Sequence, residues 1–218
     1  MSLLKTLFRA VRKDGENPSR ALDHPKDLQP GDIVKFGFIG PRALSNQSFR
    51  VAEINTCDLG GEQHKKTLFT LQGTDAEIRL AVVDNGRGEQ IEVGRAVLPE
   101  DVERLFDRDA FIDLLDPETG VHHILERDDE PEYLAGWTGP VYRQEAGHNA
   151  YFHTGDYRSQ RLPDSEEESD GFSYYFLVSD DRQFGLEAQV YDGGRTAVYL
   201  LVYLATSRIE ELWPGDSH

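Results

Sequence analysis

Between Leu28 and Val97 the sequence places five short apolar-patterned segments, LQPGDIVKF, SFRVAEI, KTLFTLQ, AEIRLAVV and EQIEVGRAV, with turn residues between them. A crossover between parallel strands takes a dozen or more residues, usually a helix, and none of these gaps holds one. The segments can therefore pair only as antiparallel hairpins, and their β-branched content suits a pleated, half-buried surface. That spacing predicts a first unit over residues 28–97 that closes as a small barrel or sandwich. The run Asp84-Asn85-Gly86-Arg87-Gly88 matches the Asp-x-Gly-x-Gly phosphate loop of gyrase-type ATPases. It lies between two strand patterns with no helix before it, however, and Asn-Gly is the usual two-residue hairpin turn.

From Leu98 the pattern changes. LPEDVERLF has an early proline, acids in its first turn and Val102, Leu105 and Phe106 on one face, and DAFIDLLD follows, which predicts short helices over 98–116. A second strand-rich unit with a C-terminal helical turn is expected over 117–218. Its clearest segments are FSYYFLV, FGLEAQVY and TAVYLLVYL, the last two joined by the tight turn Asp192-Gly193-Gly194. The apolar run Ala197 to Ala205 predicts a central strand covered on both faces. SRIEELWP is the predicted helical turn, capped by Thr206 or Ser207 and stopped by Pro214. The fold class expected is mainly β, a β-rich α+β arrangement of two small antiparallel barrel- or sandwich-like units joined by short helices, with an amphipathic helix at the N-terminus.

That N-terminal helix stands out by charge. The chain carries 40 Asp+Glu against 23 Lys+Arg, a net charge of -17, yet MSLLKTLFRAVRK contains Lys5, Arg9, Arg12 and Lys13 and no acid. Leu4, Leu7, Phe8 and Val11 fall at helical i, i+3, i+4, i+7 spacing and make one apolar face. A basic amphipathic helix of this length forms on a surface, either an anionic membrane interface, an acidic partner or the protein's own acidic body. Residues 14–27, with Pro18 and Pro25, read as its tether. The acidic body repels polyanions, so nucleic acid is not an expected partner. A single cysteine, Cys57, allows no internal disulfide and suits a reducing compartment, with cytoplasm as the expected location.

Chemistry-bearing residues are sparse. GHNAYFHTGDYRSQR gathers His148, His153, Asp156 and Tyr157, the candidate ligand-binding set. In an extended segment His148 and His153 are five apart and point to opposite faces, which argues against joint metal ligation. The acidic tracts at 126–132 and 164–170 lack calcium-loop spacing and read as solvated loops. No nucleophile elbow or local base accompanies Cys57. No catalytic residue, metal or cofactor is called for.

The segments LQPGDIVKFG, LFTL, EIRLAVV and YFHTGDYRS...YYFLVSDDRQFGLEAQVYDGGRTAVYLLVYL resemble an uncharacterised bacterial family, a domain of unknown function often encoded beside membrane-stress proteins of the phage-shock-protein A type. The resemblance implies a mostly β cytoplasmic protein near a membrane-associated assembly and implies no catalytic residues. Two functions follow as expectations. One is a non-enzymatic adaptor with a protein partner, docking through its N-terminal helix on an anionic membrane or a membrane-associated assembly. The other is a small-molecule- or metal-binding β-barrel, open to enzymatic use, with its site in the second half.

Overall fold

A computed structural model describes residues 20–60, 65–86, 88–115, 122–163 and 170–215. The predicted N-terminal helix, with Leu4, Lys5, Leu7, Phe8, Arg9, Val11, Arg12 and Lys13, lies outside the described residues. The strands in chain order are β1 (Ile33–Phe36), β2 (Ser48–Asp58), β3 (Lys65–Gln72), β4 (Glu77–Asp84), β5 (Glu89–Val97), β6 (Ile124–Glu126), β7 (Val141–Thr154), β8 (Asp170–Ser179), β9 (Phe184–Tyr191), β10 (Thr196–Ala205) and β11 (Ile209–Trp213). Two helices, α1 (Pro99–Leu105) and α2 (Arg108–Leu114), separate β5 from β6. Pro99 opens α1 and the Asp107 carboxylate caps α2 by accepting from the Ala110 amide at 2.9 Å.

The four strands β2–β5 form one antiparallel run and β7–β10 another, as the hairpin turns require. Gly86 and Gly88 take positive φ in the β4–β5 turn, and Gly193 and Gly194 do so in the β9–β10 turn. The two runs do not make two units. β5 pairs with β10 from Val97↔Val198 to Gln90↔Ala205, and β2 pairs with β7 from Asn55↔Thr154 to Asp58↔Tyr151. Eight strands thus close one barrel, in the order β2-β3-β4-β5-β10-β9-β8-β7. The physical reason is the edge. Each four-stranded run alone would leave two rows of unpaired N–H and C=O groups, and pairing both edges with the other run removes all four.

The remaining strands extend this barrel. β1 pairs with the leading end of β2, β11 pairs with β1, and β6 pairs with β7. The expected C-terminal helix is therefore corrected: only Thr206–Arg208 form a single helical turn, and Ile209–Trp213 run as a strand on the free edge of β1. The expected tether is likewise part of the body from Arg20 onward. Leu22 and Leu28 are buried, and Arg20 reaches the Asp32 carboxylate and, at 2.6 Å, the Asp27 carbonyl.

Alternation along the strands separates two faces. Leu80, Ile91, Val93, Leu186, Val198, Leu200 and Val202 point out of the barrel. They join one core cluster with Leu28, Leu44, Phe106, Leu134 and Trp137 from the segments wrapped around it. A second, smaller cluster of Cys57, Leu68, Ala81, Ala150, Phe172 and Tyr174 lies inside. Bulges near Ala52 in β2 and Glu145 in β7 shift the alternation so that the residues beyond them keep to these faces.

One closed barrel should unfold as one cooperative unit. Both tryptophans, Trp137 and Trp213, lie in the second half. Denaturant curves followed by tryptophan fluorescence and by far-UV circular dichroism should therefore coincide. Separate midpoints would mean that the halves fold independently.

Candidate functional site

The interior of the barrel is charged. Lys66 on β3 extends across it to carboxylates on β5 and β9, with its Nζ 2.5 Å from Glu92 Oε1 and 3.4 Å from Glu187 Oε2. β3 and β9 are four strands apart around the barrel, so this contact crosses the lumen. The Tyr174 hydroxyl donates to Glu187 at 3.4 Å, Gln189 Nε2 donates to Glu187 Oε1 at 2.5 Å, and the Tyr191 hydroxyl donates to Gln189 Oε1 at 2.8 Å. These side chains come from β3, β5, β8 and β9, and the network ties them together through the lumen.

Burial sets the protonation of the group. Desolvation alone would lower the Lys66 pKa, but Glu92 and Glu187 more than offset it and hold the ammonium above its ordinary 10.5. Burial raises the Glu92 pKa, and Lys66 only partly opposes this. Burial, then the Tyr174-bound Glu187, pushes the Cys57 thiol up to about 12, so it is no nucleophile at neutral pH. Tyr174 and Tyr203 are raised for the same first reason, burial. The interior thus keeps the Lys66 ammonium charged and the Cys57 thiol protonated at neutral pH.

At the end of the barrel where β3 finishes and β4 begins, a cavity of about 350 Å³ opens among Leu68, Thr70, Arg79, Phe152 and Tyr199, with Glu53 and Glu77 also in its lining, accepting from the Asn55 amide at 3.4 Å and the Gln72 amide at 3.2 Å. Gly94, directly across from Arg79 in the β4–β5 pair, adds no side chain to it. The Arg79 guanidinium stacks 3.8 Å above the Tyr199 ring, yet its Nη1 is buried and has no hydrogen-bond partner. A buried guanidinium N–H left unpaired costs about 1–3 kcal/mol or more, so it favours a ligand that supplies an acceptor.

The candidate residues read from the sequence are divided by the structure. His148 pairs with Tyr174 on the inward side of β7 and is exposed, its ring 5.3 Å from the Tyr174 ring. His153 pairs with Thr56 on the outward side, fully buried. The opposite-face reading of these two histidines is what the strand gives. Asp156 is held by Arg158 through bonds of 2.8 and 2.5 Å, which lower its pKa. The Tyr157 ring packs edge-on to His153 at 5.9 Å. The set does not converge on one point, and it misses Lys66, Arg79, Glu92 and Glu187. Their only trace in the sequence is a charge at an alternate position among apolar strand residues, and a solvent-facing strand shows the same pattern.

Among the described residues no three His, Cys, Asp or Glu side chains are placed to share a metal, and no helix is long and apolar enough to cross a membrane. No family model, no curated protein and no solved structure matches the chain, so the family resemblance rests on residue pattern alone.

Two outcomes follow from this geometry. Lys66→Met leaves Glu92 and Glu187 buried together without a counter-charge, so the variant should lose about 3–5 kcal/mol of unfolding free energy. Adding Glu92→Gln should recover a large part of that loss, and an unaffected Lys66→Met would contradict the buried contact. Both His153 ring nitrogens lack partners, so His153→Phe should hold or raise stability, by about 1 kcal/mol. A clear loss in its denaturant midpoint would show that the ring bonds to something.

Proposed function

We propose that this protein is a small-molecule-binding β-barrel whose cavity, at one end of the lumen, takes a compact ligand bearing a carboxylate. The observation that carries the reading is the buried, partnerless Nη1 of Arg79 at the wall of that cavity. A guanidinium presents a planar fork of donors that matches a carboxylate in bidentate geometry. Tyr199, Phe152 and Leu68 offer an apolar wall for the rest of the ligand, while Thr70 offers a polar contact. Eight strands enclose about the space needed for one small ligand. The raised thiol of Cys57 and the fixed Lys66 cluster favour binding over covalent chemistry. Benzoate serves as the probe: in titrations followed by NMR it should shift the Tyr199 and Phe152 ring signals saturably, and Arg79→Gln should abolish the saturation. A wild-type protein that shows no saturable shift, or an Arg79→Gln variant that binds as well, would rule the site out.

The charge contrast at the N-terminus supports a second reading, in which Lys5, Arg9, Arg12 and Lys13 dock the protein on an anionic membrane or an acidic protein partner while Leu4, Leu7, Phe8 and Val11 bury. The pattern resemblance to a family encoded beside phage-shock-protein A-type proteins points the same way. Full-length protein should co-sediment with anionic vesicles at low salt and not at high salt. Equal sedimentation with neutral vesicles would contradict an electrostatic anchor.

A further inference from the structure

Outside the barrel wall, on the far side of the sheet from the lumen, a second cavity of about 820 Å³ draws together Arg20, Lys26, Lys65 and Arg158 over Phe69 and Val82. The carboxylates of Asp27 and Asp156 line the same hollow, yet four cations gathered in one place run against the composition of a chain whose net charge is -17. Three of them are steadied by carboxylates: Arg20 by Asp32, Lys26 by Glu89 and Arg158 by Asp156. Arg158 is also braced from below, its guanidinium 5.3 Å from the Phe69 ring centroid. Lys65 differs. Its Nζ donates only to the carbonyls of Tyr157, at 2.8 Å, and Gln160, at 3.2 Å, and among the described residues no carboxylate meets its charge. A carbonyl-held ammonium beside three pre-positioned cations, one of them lying on an aromatic floor, is the arrangement that receives an oxyanion of high charge density.

We infer that this outer cavity is an anion site that takes a phosphate-class group, either free or carried on a small molecule, with Lys65 as its central contact and Arg20, Lys26 and Arg158 around it. The site is independent of the carboxylate site in the lumen, because the sheet lies between them: Lys65, Thr67 and Phe69 face outward where Lys66, Leu68 and Thr70 face inward.

Isothermal titration of the full chain with inorganic pyrophosphate, at fixed ionic strength, tests this. One saturable site is expected, and Lys65→Gln should weaken it at least about tenfold, the loss of one charge-assisted contact. Lys65→Arg, which keeps the charge, should retain binding, and this separates loss of the anion contact from loss of the fold. Arg79→Gln, which removes the lumen guanidinium, should leave pyrophosphate binding unchanged. A wild-type titration without saturation overturns the assignment, and so does a site that survives both Lys65→Gln and Arg158→Gln. Phenyl phosphate binding tighter than inorganic phosphate would identify the carried form, and the reverse order the free anion.

Discussion

The contact of Lys66 with Glu92 and Glu187 is the constraint on which the rest depends. Closing eight strands into a barrel forces half of their side chains into one shared interior, and here that half includes charges. Moving even one ion out of water costs several kcal/mol, so closure is tolerable only if the charges meet with good geometry. Lys66 meets two carboxylates from strands on different sides of the barrel, and Tyr174 and Gln189 satisfy further Glu187 oxygens. The contact is registry-dependent. A slip of one residue in β3 would turn Lys66 out and Thr67 in, leaving the two carboxylates alone.

A charged lumen reverses the usual economy of a small β protein. The larger apolar cluster lies on the outer face of the barrel and needs a cover, which the chain supplies from its own connections. The segment from Leu22 to Leu44, the two short helices and the stretch around Leu134 and Trp137 all contribute to one cluster with the outer barrel face. Wrapping of this kind explains why Trp137, Phe106 and Leu28 are fully buried although none belongs to a barrel strand. It also explains the outer hollow around Lys65, which lies where the N-terminal wrapping segment and the loop after β7 approach β3 and β4.

Much of the secondary structure was legible in the sequence because hairpins are local. The alternation in EQIEVGRAV, the Asn-Gly turn before it and the double glycine after Asp192 each specify their element within a few residues. Closure was not legible, because pairing β2 with β7 and β5 with β10 depends on which distant edges are free. The same gap hid the lumen. Glu92 sits among Ile91, Val93 and Gly94 as a solvent-facing strand residue would, and only the curvature of the sheet makes its side the inside. SRIEELWP failed for a related reason: its periodicity fits a helical turn, but the unpaired edge of β1 captures it as a strand. In the polar region from His148 to Arg158, β7 sends His148 and His153 to opposite faces, and Arg79, whose Nη1 is unpaired, lies on β4.

The ligand-binding roles proposed for this closed barrel rest on its fixed internal charge cluster and on the unpaired Nη1 of Arg79 at one end. Every such role requires that Lys66 stay charged inside. Its pKa lies above the ordinary 10.5, so the stability it contributes is fully present below that value and is lost only as pH rises through the raised value. Nitrogen-15 NMR of the lysine side chains, with Lys66 assigned by substitution, measures this directly. An ammonium signal that is protected from water and persists above pH 10.5 is the expected result; a Lys66 amine that exchanges freely and titrates at or below 10.5 would contradict the buried charge contact across the barrel.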